Sequence, residues 1–110
     1  MSLTHQLIQK NKVFAKIVYS KPYYNNCFSD NISYHTYEKF KNWMIGEFDL
    51  FFQEEDHDCL KIYFPNGLIK IEIQNNTKIN ISVKNKNSKK CEIMMQKILK
   101  LYVFALPKNT

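Results

Sequence analysis

Apolar and polar residues alternate through the middle of the chain, over residues 60–64, 69–74 and 78–84. Strict alternation is typical of a β-strand with one buried and one exposed face. The apolar positions of the three runs are Leu60, Ile62, Phe64, Ile69, Ile71, Ile73, Ile79, Ile81 and Val83. Pro-Asn-Gly and Asn-Asn-Thr separate the runs, and both are typical of tight turns. The pattern predicts a three-stranded antiparallel meander with one apolar face.

On both sides of this meander, apolar residues recur at spacings of three and four, which predicts two amphipathic helices. The first apolar stripe comprises Tyr37, Phe40, Met44, Phe48 and Phe51. The second comprises Cys91, Met94, Met95, Ile98, Leu101, Tyr102 and Ala105. We expect the first helix to begin with Thr36 as N-cap and Glu38 in its first turn, and to end near Gly46 or a turn later. We expect Ser88 to cap the second helix and Pro107 to stop it.

These elements predict an α+β fold of order α-β-β-β-α, in which both helices pack on one face of a three-stranded antiparallel sheet and the other face stays open. We assign residues 34–110 to this domain. Residues 1–33 are interpreted as an N-terminal extension with at most one packed element, because short apolar runs do not distinguish strand from helix. The acidic run Gln53–Asp58 is interpreted as a loop before the first strand.

Charge is unevenly distributed along the chain, whose net charge is +6. Residues 1–58 carry six lysines and eight acidic residues, whereas residues 59–110 carry ten lysines against Glu72 and Glu92. Such a concentration favours an anionic partner, nucleic acid first and an acidic membrane or protein surface second. A basic surface that serves only solubility is the alternative. Every basic residue is Lys, which binds phosphate as a point charge and favours backbone contacts over base recognition.

The polar side of the predicted sheet places most of these charges on its open face, with Glu72 as the only opposing acid. Neighbouring strands lie about 4.8 Å apart, so lysines on this face are spaced for contact with backbone phosphates. An ordinary solvated sheet face is the competing interpretation. The predicted RNA-binding residues are Lys61, Tyr63, Lys70, Lys78, Lys84, Lys86, Lys89 and Lys90.

Catalytic and metal-binding patterns are not recognisable in the sequence. The run Glu54–Asp58 holds consecutive carboxylates and His57, without the spacing that converges ligands on one ion. Cys27, Cys59 and Cys91 form no Cys-x-x-Cys motif. They are far apart and odd in number and no secretory signal is recognisable, so we expect reduced thiols. We therefore predict a protein that is not an enzyme and has no cofactor or metal. Without an apolar segment of membrane-spanning length or a secretory signal, we expect no membrane insertion and a cytoplasmic location.

The sequence YHTYEKF, followed by the meander and an apolar C-terminal helix, resembles the nine-kilodalton protein family of the signal recognition particle Alu domain. The matching positions are Thr36, Tyr37, Glu38 and Phe40 at the start of the first helix, and Leu60, Lys61, Asn66 and Gly67 in the first hairpin. The resemblance covers residues 34–106, and residues 1–33 have no counterpart in compact family members. It implies a heterodimer with a homologous fourteen-kilodalton protein that binds the Alu portion of the particle RNA. The implied role is elongation arrest on the ribosome during targeting to the endoplasmic reticulum.

Two alternatives remain open at this point. A double-stranded-RNA-binding-like domain shares the α-β-β-β-α order, and NSKKCEIMMQKILKLY has a Lys-Lys start to its helix, although the Gly-Pro-His turn of such domains is missing. A polo-box-like protein-interaction scaffold would use the lysines to meet acidic or phosphorylated peptides. Charge reversal at Lys61, Lys70 and Lys78 would distinguish binding through the sheet from binding through a helix.

Overall fold

The computed structural model describes residues 16–20 and 23–107. These residues form six strands and two helices, joined by turns. In chain order they are β1 (Lys16–Ser20), β2 (Tyr23–Asn31), α1 (Tyr34–Glu47), β3 (Phe52–Asp56), β4 (Cys59–Phe64), β5 (Gly67–Gln74), β6 (Lys78–Asn85) and α2 (Ser88–Ala105).

The sheet has six strands in the order β1-β2-β6-β5-β4-β3, and all neighbouring strands are antiparallel. The predicted three-stranded sheet and the α-β-β-β-α order are therefore wrong. Strands β4, β5 and β6 correspond to the alternating runs, and β3 is added beyond β4. On the other side, β1 and β2 come from the predicted N-terminal extension, so the sheet continues across the predicted boundary at residue 33.

Strand β2 was hidden in the sequence because its residues YYNNCFSDN are mostly polar and show no clear alternation. Its backbone pairs with β1 on one side and β6 on the other, so backbone hydrogen bonds hold it within the sheet. The helix-facing side of β2 includes Asn26 opposite Val83 and Phe28 opposite Ile81, and these four side chains are buried. The buried Phe28 and the partly buried Tyr24 therefore anchor a strand whose sequence is typical of a loop.

Strand β3 was missed because its helix-facing positions are Gln53 and Glu55 rather than apolar residues. Helix α1 provides partners for both. The Gln53 side-chain amide donates to the carbonyls of Ile45 (3.2 Å) and Phe48 (2.7 Å). Glu55 forms an ion pair with the buried Lys41 at 3.1 Å, and Lys41 Nζ also donates to the carbonyl of Asp56. Because the inward-facing polar side chains of β3 have hydrogen-bond or ion-pair partners, this acidic segment can form an edge strand.

Both helices begin earlier than predicted. Ser33 is the N-cap of α1, since its Oγ accepts from the amide of Thr36 at 3.1 Å. The first turn of α1 contains no acidic residue, so the predicted Thr36 cap with Glu38 in that turn is wrong. Asn87 is the N-cap of α2 and accepts from the amide of Lys90 at 3.1 Å, which corrects the predicted Ser88 cap. In both helices the N-cap lies earlier in the sequence than predicted, and its side chain accepts a hydrogen bond from a first-turn amide that has no partner within the helix.

Helices α1 and α2 pack against each other and against the same side of the sheet, α1 over β5 and α2 over β6 and β2. The predicted inward positions of β5 and β6 are all buried there, as are Leu60 and Ile62 of β4. Tyr102 lies at the centre of this core, with its ring 5.4 Å from Phe28 and 5.3 Å from Phe40 in edge-on contacts. Its hydroxyl donates to Asp30 Oδ2 at 2.6 Å. The core therefore ties α2 to β2 as well as to the meander.

Candidate nucleic-acid interface

The side of the sheet opposite the helices is covered by no helix or strand in the described ranges, and we call it the uncovered face. Cross-strand pairing sorts its side chains into rows. One row runs Phe52, Tyr63, Leu68, Lys84 and Asn25 across β3 to β2. The next runs Glu54, Lys61, Lys70, Ser82 and Cys27, and a third runs Asp56, Cys59, Glu72, Asn80 and Ser29.

Three of the predicted binding lysines lie close together on this face. Lys61 on β4 stands directly opposite Lys70 on β5, and Lys84 on β6 lies in the adjacent row. Side chains that face each other across a pair of strands have Cβ atoms about 5 Å apart. Like charges directly opposite one another disfavour the sheet, so the Lys61–Lys70 pair requires neighbouring anions.

Nearby carboxylates partly neutralise the charges of Lys61 and Lys70. More acidic residues lie on this face than the sequence predicted. Glu54 lies directly opposite Lys61, and Glu72 Oε2 lies 3.7 Å from Lys70 Nζ. Asp56 faces the same side. The prediction that Glu72 is the only acid on the open face is wrong, because β3 contributes two more. The middle of the uncovered face is therefore of mixed charge.

Lys78 does not join this group. It begins β6 and lies opposite Gln74 and Asn31, six residues before Lys84 along the strand. At about 3.3 Å per residue, the two lysines are separated by about 20 Å. Lys78 thus lies at the far end of the uncovered face, beyond the row that contains Asp56 and Glu72.

Positive charge is concentrated where β6 ends and α2 begins. Residues 84–90 carry Lys84, Lys86, Lys89 and Lys90 and no acidic residue, and all four side chains are exposed. We call these four lysines the basic end. Lys84 belongs to the uncovered face, whereas Lys89 and Lys90 lie in the first turn of α2, on the helix side of the sheet. The predicted residues Lys86, Lys89 and Lys90 therefore extend the surface around the end of the sheet.

Buried hydrogen bonds fix the backbone of the basic end. The Asn85 side chain is buried, donates through Nδ2 to the carbonyl of Pro65 at 3.1 Å, and accepts from the amide of Asn87 at 2.9 Å. The amide of Lys86 donates to the carbonyl of Asn66 at 3.3 Å. Asn66 has a φ of 61°, a left-handed conformation that asparagine tolerates. The β4–β5 turn and the basic end are thus held together.

An aromatic hollow adjoins the basic end, and of its lining residues the sequence predicted only Tyr63 and Lys84 as binding residues. The hollow has a volume of about 470 Å³ and is lined by Tyr23, Tyr63, Phe64, Asn66, Gly67, Leu68 and Lys84. Phe52 lies beside it, with its ring centroid 5.5 Å from that of Tyr63. Tyr23 and Phe52 were missed because they belong to strands that the alternation did not predict.

Two thiols also lie on the uncovered face. Cys27 is exposed in the row of Lys61 and Lys70, and Cys59 is half-buried opposite Glu72. Partial burial raises the pKa of both thiols, against the opposing effect of Lys84 on Cys27 and of Lys70 on Cys59. Neither is activated as a nucleophile by this environment, which favours the protonated thiol.

In residues 16–20 and 23–107, no three His, Cys, Asp or Glu side chains are grouped so as to hold a metal ion. No helix in those ranges has both the length and the apolar composition required to cross a bilayer.

Comparison with known proteins gives a structural likeness without a function. No protein-family model matches the chain, and no curated protein matches it. The solved structure of a conserved protein of unknown function from Enterococcus faecalis is similar, with a TM-score of 0.59 over 92% of this chain and 81% of that chain. The two sequences are 12% identical, so the likeness concerns the fold alone.

Proposed function

We propose that this protein binds RNA through the basic end, and that Lys61 and Lys70 extend the contact over the uncovered face. The observation that carries the proposal is the separation of charge along the sheet. Residues 84–90 hold four exposed lysines without an acid, whereas Asp56 and Glu72 lie two rows away from Lys84 along the sheet, between Lys84 and Lys78. A folded protein with such a cluster attracts polyanions, and phosphate contacts from Lys supply affinity without sequence recognition.

The geometry of the basic end favours contact with a phosphate backbone over simple solvation. Asn85 and the β4–β5 turn hold the backbone that carries Lys84 and Lys86, so only the flexible lysine side chains must be ordered on binding. A surface whose backbone is fixed beforehand loses less conformational entropy when a ligand binds. The adjoining aromatic hollow adds a surface that solubility alone does not require.

We limit the proposal to RNA binding. Membership in the signal recognition particle Alu domain, with the fourteen-kilodalton partner, stays a prediction, as does the double-stranded-RNA-binding-like alternative. Both depend on an α-β-β-β-α arrangement that the six-stranded sheet does not match. We place the activity in the cytoplasm, in keeping with the three unpaired cysteines and the reducing conditions there.

A direct binding measurement tests the proposal. Fluorescence anisotropy with a labelled RNA that contains both a duplex stem and an unpaired loop would compare the wild type with Lys84→Gln/Lys86→Gln and with Lys97→Gln/Lys100→Gln. The last variant removes two charges from exposed positions of α2 outside the basic end. We expect the Lys84/Lys86 variant to bind roughly tenfold more weakly and the control to bind within about twofold of the wild type. Equal losses in both variants, or no binding by the wild type at low salt, would refute the proposal.

A further inference from the structure

One row of the uncovered face combines aromatic rings with a lysine and contains no acid. It comprises Phe52, Tyr63, Leu68, Lys84 and Asn25. The adjacent row contains Glu54, and the row beyond that one contains Asp56 and Glu72. The row that borders the basic end therefore contains no carboxylate.

The two rings of this row remain accessible. The Phe52 side chain is 68% exposed and that of Tyr63 is 37% exposed, although their ring centroids lie only 5.5 Å apart. Large aromatic side chains exposed side by side are uncommon on a surface that has no ligand, and they indicate a contact site. The Tyr63 hydroxyl donates to Glu54 Oε1 at 2.5 Å, which restrains the orientation of this ring.

A cation and an open volume complete the arrangement. Lys84 lies at the far side of Leu68 from Tyr63, and both line the hollow of about 470 Å³. The row from Phe52 to Lys84 crosses three strand spacings, about 14 Å, which is enough for about two nucleotides. Exposed rings beside a lysine are the combination that single-stranded nucleic acids require, because bases stack on the rings while phosphates meet the cation.

We propose that this aromatic row binds unpaired nucleotides of RNA, with bases stacked on Tyr63 and Phe52 and the phosphate backbone directed towards Lys84. This inference rests on the proposed RNA binding and names the form of RNA that the surface prefers. Paired bases are stacked on one another within a duplex and present no free face to a side chain, so a duplex reaches only the lysines.

Acidic peptides and anionic membranes are the competing occupants of such a surface. Both would be attracted by Lys84, but the carboxylates of an acidic peptide and the headgroups of a membrane contain no aromatic ring that stacks on Phe52 and Tyr63. The flat aromatic surface of Phe52 and Tyr63 therefore favours a nucleobase. Poly-glutamate and vesicles that contain phosphatidylserine serve as competitors in the test below.

The test uses a labelled oligouridylate and a blunt RNA duplex of the same length, titrated with the full chain at one salt concentration. Three proteins are compared: the wild type, Phe52→Leu/Tyr63→Leu, which keeps an apolar surface without rings, and Phe104→Leu, which removes an exposed ring of α2 on the other side of the sheet. We expect the leucine variant to lose about tenfold in affinity for the single strand and less than about twofold for the duplex. Phe104→Leu should bind both RNAs as the wild type does.

The outcomes separate this inference from the one on which it rests. Equal affinity losses for single strand and duplex, or an unchanged affinity for the single strand, would overturn the stacking inference while leaving RNA binding in place. Competition by poly-glutamate or vesicles that is stronger than by oligouridylate and is lost with the rings would also overturn it. No binding of either RNA by the wild type would instead refute RNA binding itself. Unfolding curves for all three proteins establish that the variants are folded.

Discussion

The Tyr63 hydroxyl donates a hydrogen bond of 2.5 Å to Glu54 Oε1, across the pair formed by β4 and the edge strand β3. A residue predicted to bind RNA is thus held by a carboxylate from a segment predicted to be a loop. Glu54 also lies directly opposite Lys61. Its negative charge therefore stabilises the lysine-rich sheet and opposes the approach of a polyanion.

The substitution Glu54→Gln should strengthen RNA binding, because it removes that negative charge while keeping an acceptor for the Tyr63 hydroxyl. An exposed charge contributes up to about 1 kcal/mol, so we expect affinity to rise by about threefold at low salt. Anisotropy titration at two salt concentrations measures this, and the gain should shrink at high salt. Glu38→Gln on the exposed side of α1 is the matched control. A gain of the same size in that control would show a general charge effect instead.

Gly67 should be indispensable for stability because of close packing at the β4–β5 turn. A Cβ at this position would meet the carbonyl oxygen of Lys84, the Phe64 ring at 2.6 Å and Asn85 Nδ2 at 2.8 Å. The strand backbone of β6 cannot yield without loss of its pairing, so Gly67→Ala should destabilise the fold by about 2 kcal/mol or more. Urea unfolding followed by circular dichroism measures the loss.

Gly46 provides the opposite case within the same chain. It lies in α1, is exposed, and has no atom within 4 Å of a Cβ built on it. Alanine is favoured over glycine in a helix, so Gly46→Ala should raise stability by about 0.5 kcal/mol. Equal losses for the two glycine substitutions would contradict the packing described at Gly67.

Sequence pattern was sufficient for the elements that bury continuous apolar stripes. The inward positions of β5, such as Ile69 and Ile71, and the stripe of α2 around Ile98 and Tyr102 are buried as expected. The pattern failed for the two strands whose inward-facing side chains are largely polar. Strand β2 relies on pairing along both edges, and β3 relies on Lys41 and helix carbonyls that come from a distant part of the sequence. Because these partners are distant in sequence, the local periodicity of residues within β2 and β3 does not reveal the strands.

The candidate site was predictable only in part for the same reason. The parity of β4, β5 and β6 places Lys61, Lys70 and Lys84 on one face, because each alternates with a buried residue. Neither the opposing Glu54 nor the ring of Phe52 could be placed, since both require knowledge that residues 52–56 form a strand beside β4. The charge of the face was therefore overestimated and its aromatic part was underestimated.

Stability should decline at alkaline pH, partly because of Tyr102. Burial and the hydrogen bond to Asp30 raise the pKa of this phenol above its ordinary value of about 10. The unfolded chain then releases the proton at lower pH than the folded protein does. The stability contributed by the protonated phenol is fully present below about pH 10 and is lost as the pH rises from there towards the higher folded pKa.

Tyr102→Phe isolates this effect. The variant should lose about 1–3 kcal/mol at pH 7, because the Asp30 carboxylate loses a donor. Between pH 10 and 11 its stability should fall less steeply than that of the wild type, by up to about 1.4 kcal/mol per pH unit, because phenylalanine has no proton to release. Urea unfolding at several pH values measures both quantities. Parallel profiles above pH 10 would contradict the assigned role of Tyr102.

The salt dependence of RNA binding tests the basic end most directly. The logarithm of the association constant for oligouridylate should fall linearly with the logarithm of salt concentration, since phosphate contacts release counterions. Lys84→Gln/Lys86→Gln should reduce that slope by about 1.4, at about 0.7 for each lost contact to a single strand. Lys97→Gln/Lys100→Gln should leave it unchanged. A wild-type slope near zero, or the same slope in all three proteins, would contradict RNA binding through the basic end.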